Sequence, residues 1–196
     1  MTTDKVILGI DPGTQMMGWG VLELSRGKAR YISMGVLNFK KEEGHFSKIA
    51  AVYREVEALI LKYRPDELAI EAPFYGKNIQ SMLKLGRAQG AAISAALNHS
   101  MPITEYAPKK VKMSITGKGA ASKEQVATVL LSILSVDVKP DSYDATDGLA
   151  VAFCHYLNGS GPITELCKNS VSVSKVKSKS GGGWGDFIRN NPSRIK

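Results

Sequence analysis

The chain has 196 residues, of which 43% are hydrophobic and 22% charged, and its formal net charge is +8. That length suits one domain with a good core plus a tail, and the composition excludes a chain disordered throughout. No run approaches the roughly 20 apolar residues that a spanning helix needs, so no membrane-spanning helix is indicated.

The N-terminus, MTTDKVILGID, has an acidic residue and a strand where a signal peptide needs a basic start and a longer apolar stretch. A cytoplasmic protein is therefore expected. Lys5 to Asp11 reads as a buried strand, and Trp19 to Leu24 and Tyr31 to Phe39 read as the next two, an antiparallel meander turned at Arg26-Gly27. Between Phe46 and Tyr63 the residues Ile49, Val52, Tyr53, Val56, Leu59, Ile60 and Tyr63 keep the spacing of an amphipathic helix, which Arg64-Pro65 closes. Glu67 to Ala72 is then a strand reached through a crossover helix, so it should lie parallel in the same sheet.

A second helix, rich in small residues, runs from Gln80 to Asn98, and Ile103 to Tyr106 is the fifth strand. A basic segment follows. Ser122 with Gln125 forms a capping-box pattern for a helix to about Leu134, and Pro140-Asp141 leads into a last helix, Ser142 to Leu157. The whole is an α/β arrangement around a mixed five-stranded sheet flanked by helices. Residues 1–158 should form the domain, and 159–196, rich in serine, glycine and lysine, reads as a flexible tail in which Trp184 and Phe187 are the aromatic residues. Of the net charge, +5 lies after Gly159, so basicity alone argues weakly for nucleic acid. Cys154 and Cys167 have neither a C-x-x-C spacing nor a histidine set at zinc distances, which disfavours a structural zinc or a disulfide framework.

One aspartate ends the most apolar strand, directly before Pro-Gly. An isolated carboxylate in that setting costs several kcal/mol unless it is paired, hydrogen-bonded or metal-bound. Asp11 shares this need with Glu71, at the end of the fourth strand, and with Asp144 and Asp147, three residues apart on one face of the last helix. Singly each has another explanation, since Asp144 suits the N-terminal turn of its helix and Glu71 a surface strand end. If the two strands are neighbours and the helix crosses their ends, four acids converge. Divalent cations would hold such a set ionised, and oxygen-only ligands suit Mg²⁺ or Mn²⁺. Two such ions can activate water and stabilise the leaving oxygen in a displacement at phosphorus.

Four ordered blocks carry a resemblance: G-I-D-P-G-T at Gly9 to Thr14, E-A-P-F-Y-G-K-N…L-K-L-G at Glu71 to Gly86, E-Y-A…V-K at Glu105 to Lys112, and D-A-T-D-G-L-A at Asp144 to Ala150. In order and spacing they resemble the RuvC family of Holliday junction resolvases over about the first 158 residues. The resemblance implies a ribonuclease H-like fold and a homodimer. It also implies symmetric nicking of two like-polarity strands of a four-way DNA junction, with two Mg²⁺ ions per active site, for which Mn²⁺ should substitute. RuvA and RuvB branch-migration proteins are the implied partners.

By position Asp11, Glu71, Asp144 and Asp147 match the family's catalytic, metal-binding acids, although some members carry histidine in place of Asp144. Lys112 and Lys123 match its two lysines near the scissile phosphate and the DNA backbone, with Lys112 counted among the catalytic groups. Lys118, between them, is taken as a further DNA contact. Phe74 matches an aromatic that stacks on a base near the crossover, on a loop with Tyr75, Lys77 and Asn78 as further DNA contacts. The chain departs from the family pattern at Ala72-Pro73, in its tail, and at Gly148, which is expected to weaken its helix by about 1 kcal/mol relative to alanine.

Two other readings stay open on the sequence. The Gly9–Thr14 opening also resembles the first phosphate loop of the actin, sugar-kinase and Hsp70 ATPases, though a second lobe is lacking. A junction-binding module that has lost catalysis is the other.

Overall fold

The structure, a computed structural model, describes residues 5–73, 78–137 and 142–159. Phe74, Tyr75, Lys77, the Pro140-Asp141 lead into the last helix, Cys167 and the segment from Ser160 onward, with Trp184 and Phe187, lie outside the described residues. In chain order the elements are β1 (Lys5–Asp11), β2 (Met16–Ser25), β3 (Lys28–Asn38), α1 (His45–Tyr63), β4 (Glu67–Glu71), α2 (Ile79–Asn98), β5 (Ile103–Tyr106), α3 (Pro108–Thr116), α4 (Lys123–Ile133) and α5 (Tyr143–Gly159). The strands form one sheet in the order β3-β2-β1-β4-β5.

β1, β2 and β3 pair antiparallel, whereas β1–β4 and β4–β5 are parallel. Arg26 and Gly27 make the two-residue hairpin turn between β2 and β3, both with positive φ (51° and 76°), as the twist-matched hairpin turn requires. The parallel partners each follow a helix, because a parallel return needs a crossover long enough to span the sheet.

Side-chain alternation along the strands assigns the two faces. Leu8 and Ile10 of β1 and Leu68 and Ile70 of β4 pack on one side with Val52, Val56 and Ile60 of α1 and Ala88, Ala92 and Ala96 of α2. Ile7 and Ala69, one residue out of phase, join the opposite core with Val111 of α3, Val126 and Leu130 of α4, and Leu149 and Phe153 of α5. Asp11 and Glu71 belong to this second series by the same period of two. Both acids are therefore delivered to the face that α3, α4 and α5 cover.

α5 lies on β1 and β2 with almost no side-chain layer between. A Cβ on Gly18 would stand 1.8 Å from the carbonyl oxygen of Asp144, and one on Gly148 would stand 2.4 Å from Cα of Trp19. This packing adds to what the sequence says of Gly148. Gly148 does lower helix propensity, but its missing side chain is what lets the α5 backbone reach the sheet, and no residue with a Cβ fits there.

α3 was not anticipated as a helix in the basic segment. It starts with Pro108 in its first turn and stops at Gly117, which has φ 70°, the helix-start proline and left-handed stop glycine that such short helices favour. α4 begins with the expected capping box of Ser122 and Gln125. Cys154 is a buried free thiol.

Candidate active site

β1 and β4 run side by side with Ile10 opposite Ile70, so the next residues, Asp11 and Glu71, are neighbours at the same end of the sheet and on the same face. On its other side Asp11 pairs with Gly18, the residue against which the Asp144 carbonyl packs. The first turn of α5 thus stands over the end of β1. Two adjacent strand ends and one helix start bring together four acids scattered over more than 130 positions of chain.

The electrostatics agree with that placement. Burial, then the negative charge of Asp147 and of Asp144, pushes the Asp11 carboxyl up to about 7, against a smaller opposing effect of Lys123. Burial, followed by Asp11 and Asp147, pushes Glu71 up to about 8, opposed by Lys123 and Lys112. Asp147 is also raised, by burial, although Lys123 pulls the other way. Carboxyls that raise one another in this manner have more negative charge than their surroundings neutralise.

The Lys123 ammonium supplies part of the missing charge. It is 3.2 Å from Asp144 Oδ1 and hydrogen-bonded to Asp147 Oδ2, so the first residue of α4 is tied to α5. Lys123, expected from the resemblance near the DNA backbone, is here bonded to two of the acids. Lys112 lies beside the cluster, its ammonium donating to the carbonyl of Ala121 at 2.9 Å. Lys118 is exposed. Asn78 caps α2, its side-chain oxygen accepting from the Ser81 N–H at 3.0 Å.

Sequence reasoning missed several supporting groups, because their partners are remote in the chain. Gln89 of α2, only 7% exposed, donates to the backbone carbonyl of Glu71 and to Glu105 Oε1, each at 3.3 Å, and so holds the end of β4 from beneath. On the acidic face, Glu67 Oε2 accepts from His155 Nε2 at 2.8 Å, leaving Nδ1 to accept from the Tyr106 hydroxyl, also at 2.8 Å. This network joins α5 to β4 and β5. Burial alone would raise Glu67, but the bonds from Lys5 and His155 hold it below the usual carboxylate range.

As donors, Asp11, Glu71, Asp144 and Asp147 fit hard divalent cations: all are oxygen ligands, partly desolvated and over-supplied with negative charge. Among the described residues, no three His, Cys, Asp or Glu side chains stand as a closed metal cage. Two of the four carboxylates are instead engaged by the Lys123 ammonium, a monovalent cation at the place where the donor chemistry calls for a divalent one.

Comparison with known proteins gives a consistent picture. The family model for Crossover junction endodeoxyribonuclease RuvC matches residues 7–155. Relatives of that description include one from Bacteroides fragilis, 50% identical over 98% of this chain and 97% of its own, and one from Porphyromonas gingivalis, 44% identical over 98% of each. Among solved structures, Thermus thermophilus RuvC in complex with Holliday junction substrate superposes with a TM-score of 0.73 at 30% identity, over 80% of this chain and 95% of that one.

Proposed function

Because the chain belongs to the RuvC family of crossover junction endodeoxyribonucleases, a family of metal-dependent nucleases with a ribonuclease H-like fold, we propose that it resolves Holliday junctions at the cluster built from Asp11, Glu71, Asp144 and Asp147. The observation that carries the assignment is the convergence of these four acids at the ends of β1 and β4 under the start of α5. Membership in a nuclease family displaces the phosphate-loop ATPase reading of the Gly9–Thr14 opening.

Asp11, which stands between Glu71 and the Asp144/Asp147 pair, would hold two Mg²⁺ ions together with these three acids, and Mn²⁺ would substitute. When bound, such ions acidify water toward a nucleophile at neutral pH and stabilise the leaving oxygen of an in-line displacement at phosphorus. Lys112, fixed by Ala121 beside the acids, presents a point charge to a phosphoryl oxygen of the strand to be cut. Lys123 starts a helix whose free N–H groups also favour anions, and Lys118 extends the same basic edge along the DNA backbone. Phe74, Tyr75, Lys77 and Asn78 belong to the segment proposed to meet the crossover.

Paired cuts on two like-polarity strands need two active sites, so the working unit is a homodimer, acting beside the RuvA and RuvB branch-migration proteins. The alanines of α2 are taken up by the core, but Gly86 and Gly90, with open space beside them, suit close helix contact between subunits. Residues 1–158 carry the nuclease chemistry, and the basic segment that follows adds phosphate contacts.

The test is incubation with a mobile synthetic four-way junction and Mg²⁺, followed by a denaturing gel. Symmetric paired incisions are expected. Junction binding without nicks under any Mg²⁺ or Mn²⁺ condition would instead make the protein a binding module.

A further inference from the structure

The loop that leaves Asp11 runs, at Thr14 and Gln15, into a cavity of about 640 Å³ that the nuclease chemistry does not use. Its other walls are the first turn of α1, with His45 and Lys48, and the start of α2, with Ser81 and Lys84. Two helix N-termini therefore open onto one space. Neither has an acidic residue in its first turn, and no side chain caps α1. Helix starts usually attract such a carboxylate, because their unpaired N–H groups and the macrodipole favour negative charge. At α1 that preference is left for something from outside the chain, and at α2 Asn78 meets a single N–H, that of Ser81.

Three further observations point to the same kind of ligand. Lys48 and Lys84 add two ammonium groups to the lining. The acid that also lines the cavity, Glu42, faces the Arg54 guanidinium at 4.0 Å, so its charge is partly compensated. His45 Nε2 is buried and has no hydrogen-bond partner among the described residues, a costly state that an oxygen entering the cavity would relieve. Phe46, its ring centroid 6.0 Å from that of the lining His45, has 80% of its surface exposed, as large an apolar exposure as the described residues show. A base can stack on such a ring.

We propose that the cavity between the β1–β2 loop and the starts of α1 and α2 is a phosphate subsite that holds a DNA strand beside the catalytic acids, with Phe46 as a stacking platform at its rim. The proposal rests on the junction-nuclease reading above. A free phosphate would satisfy the same lining, but two features favour a strand. Thr14 is three residues from Asp11, within a reach of about 10 Å along extended chain, so a phosphate held there lies close to the one being cut. The exposed Lys40 and Lys41, just before α1, add two ammonium groups beyond the cavity, beside the exposed Glu43, and a strand can reach them where a lone anion cannot.

The experiment compares Lys48→Gln/Lys84→Gln with Lys62→Gln, about 21 Å further along α1 than Lys48. Both sets are placed in an Asp11→Asn background and measured without divalent cations, so that cutting does not interfere. Binding to a four-way junction is followed by fluorescence anisotropy over a range of salt. The double variant should bind about tenfold more weakly, with a salt slope shallower by about 1, while Lys62→Gln leaves both unchanged. In a second arm, inorganic phosphate at matched ionic strength should raise the Tm of the parent protein and not that of the double variant. Equal junction affinity and slope for the double variant and its parent would overturn the proposal. If the phosphate effect alone disappears, the cavity serves a free anion and its assignment to DNA is wrong. Failure of the Asp11→Asn parent to bind any junction would instead contradict the nuclease reading, and this assignment with it.

Discussion

Asp11 shows how one side chain ties the fold to the chemistry. Its carboxyl is pushed up to about 7 and that of Glu71 to about 8, so both keep a proton in the folded chain that they would lose in the unfolded one. Raised acids contribute stability that is complete below about pH 4, the unfolded carboxylate range, and that is lost as pH climbs through 7 and 8. In chelator the Tm should therefore fall across that window, and Mg²⁺ should restore it most at the alkaline end. Thermal melts in chelator and in Mg²⁺ over the pH series check this; a profile that is flat in chelator would contradict it. Asp11→Asn removes one charge from the crowd. It should melt higher than the parent in chelator, still bind junctions, and nick them about 100-fold more slowly or worse, the scale for losing one preorganised electrostatic group. The four acids were legible in the sequence because each sits at a place where a lone carboxylate needs an explanation. The role of Lys123 was not: its partners Asp144 and Asp147 are 21 and 24 residues away, and nothing local to a lysine says which anion it will meet.

The site is only as good as the seat of α5, and that seat is glycine against backbone. Gly148→Ala gains about 1 kcal/mol of helix propensity but forces a Cβ to within 2.4 Å of the Trp19 backbone, and overpacking of that kind costs about 1–3 kcal/mol or more where backbone must move. The variant should lose several degrees of Tm and, with Asp147 displaced, most of its nicking. A variant as stable and active as the parent would show that α5 can shift at no cost. The Tyr106–His155–Glu67 network fastens the same helix lower down. His155→Ala leaves the buried Tyr106 hydroxyl without this partner and Glu67 with Lys5 alone, and should cost roughly 1–3 kcal/mol, read as a lower urea midpoint with unchanged slope. At this scale long amphipathic segments were legible: four of the five buried residues of α1, Val52, Val56, Leu59 and Ile60, lie on its predicted stripe. α3 escaped because nine residues with only Val111 and Ile115 buried give too few turns for a period to emerge, although Pro108 and Gly117 marked its ends.

For the molecule as a whole, topology turns local patterns into a site. The parallel β1–β4 pair sets Asp11 beside Glu71, and no periodicity states that two strands nearly 60 residues apart are neighbours; the crossover rule and the helix between them supply that step. Among the described residues no helix is long and apolar enough to cross a membrane, in keeping with the hydropathy of the sequence. Charge is distributed unevenly, with +5 of the +8 after Gly159. Deleting residues 160–196 should leave the melt of the nuclease domain unchanged and weaken junction binding, with a shallower dependence on salt in an anisotropy titration. Sedimentation should show a dimer on junction DNA, and a monomer there would leave paired cutting without its second site. The central claim, that Asp11, Glu71, Asp144 and Asp147 together hold the divalent ions of a junction nuclease, is tested most directly by anomalous diffraction from crystals of the protein with a four-way junction and Mn²⁺. Two manganese peaks among these four carboxylates, with Lys123 turned away from Asp144 and Asp147, are the predicted result. Manganese bound elsewhere, or junction DNA cut in the crystal with none among these acids, would contradict the account.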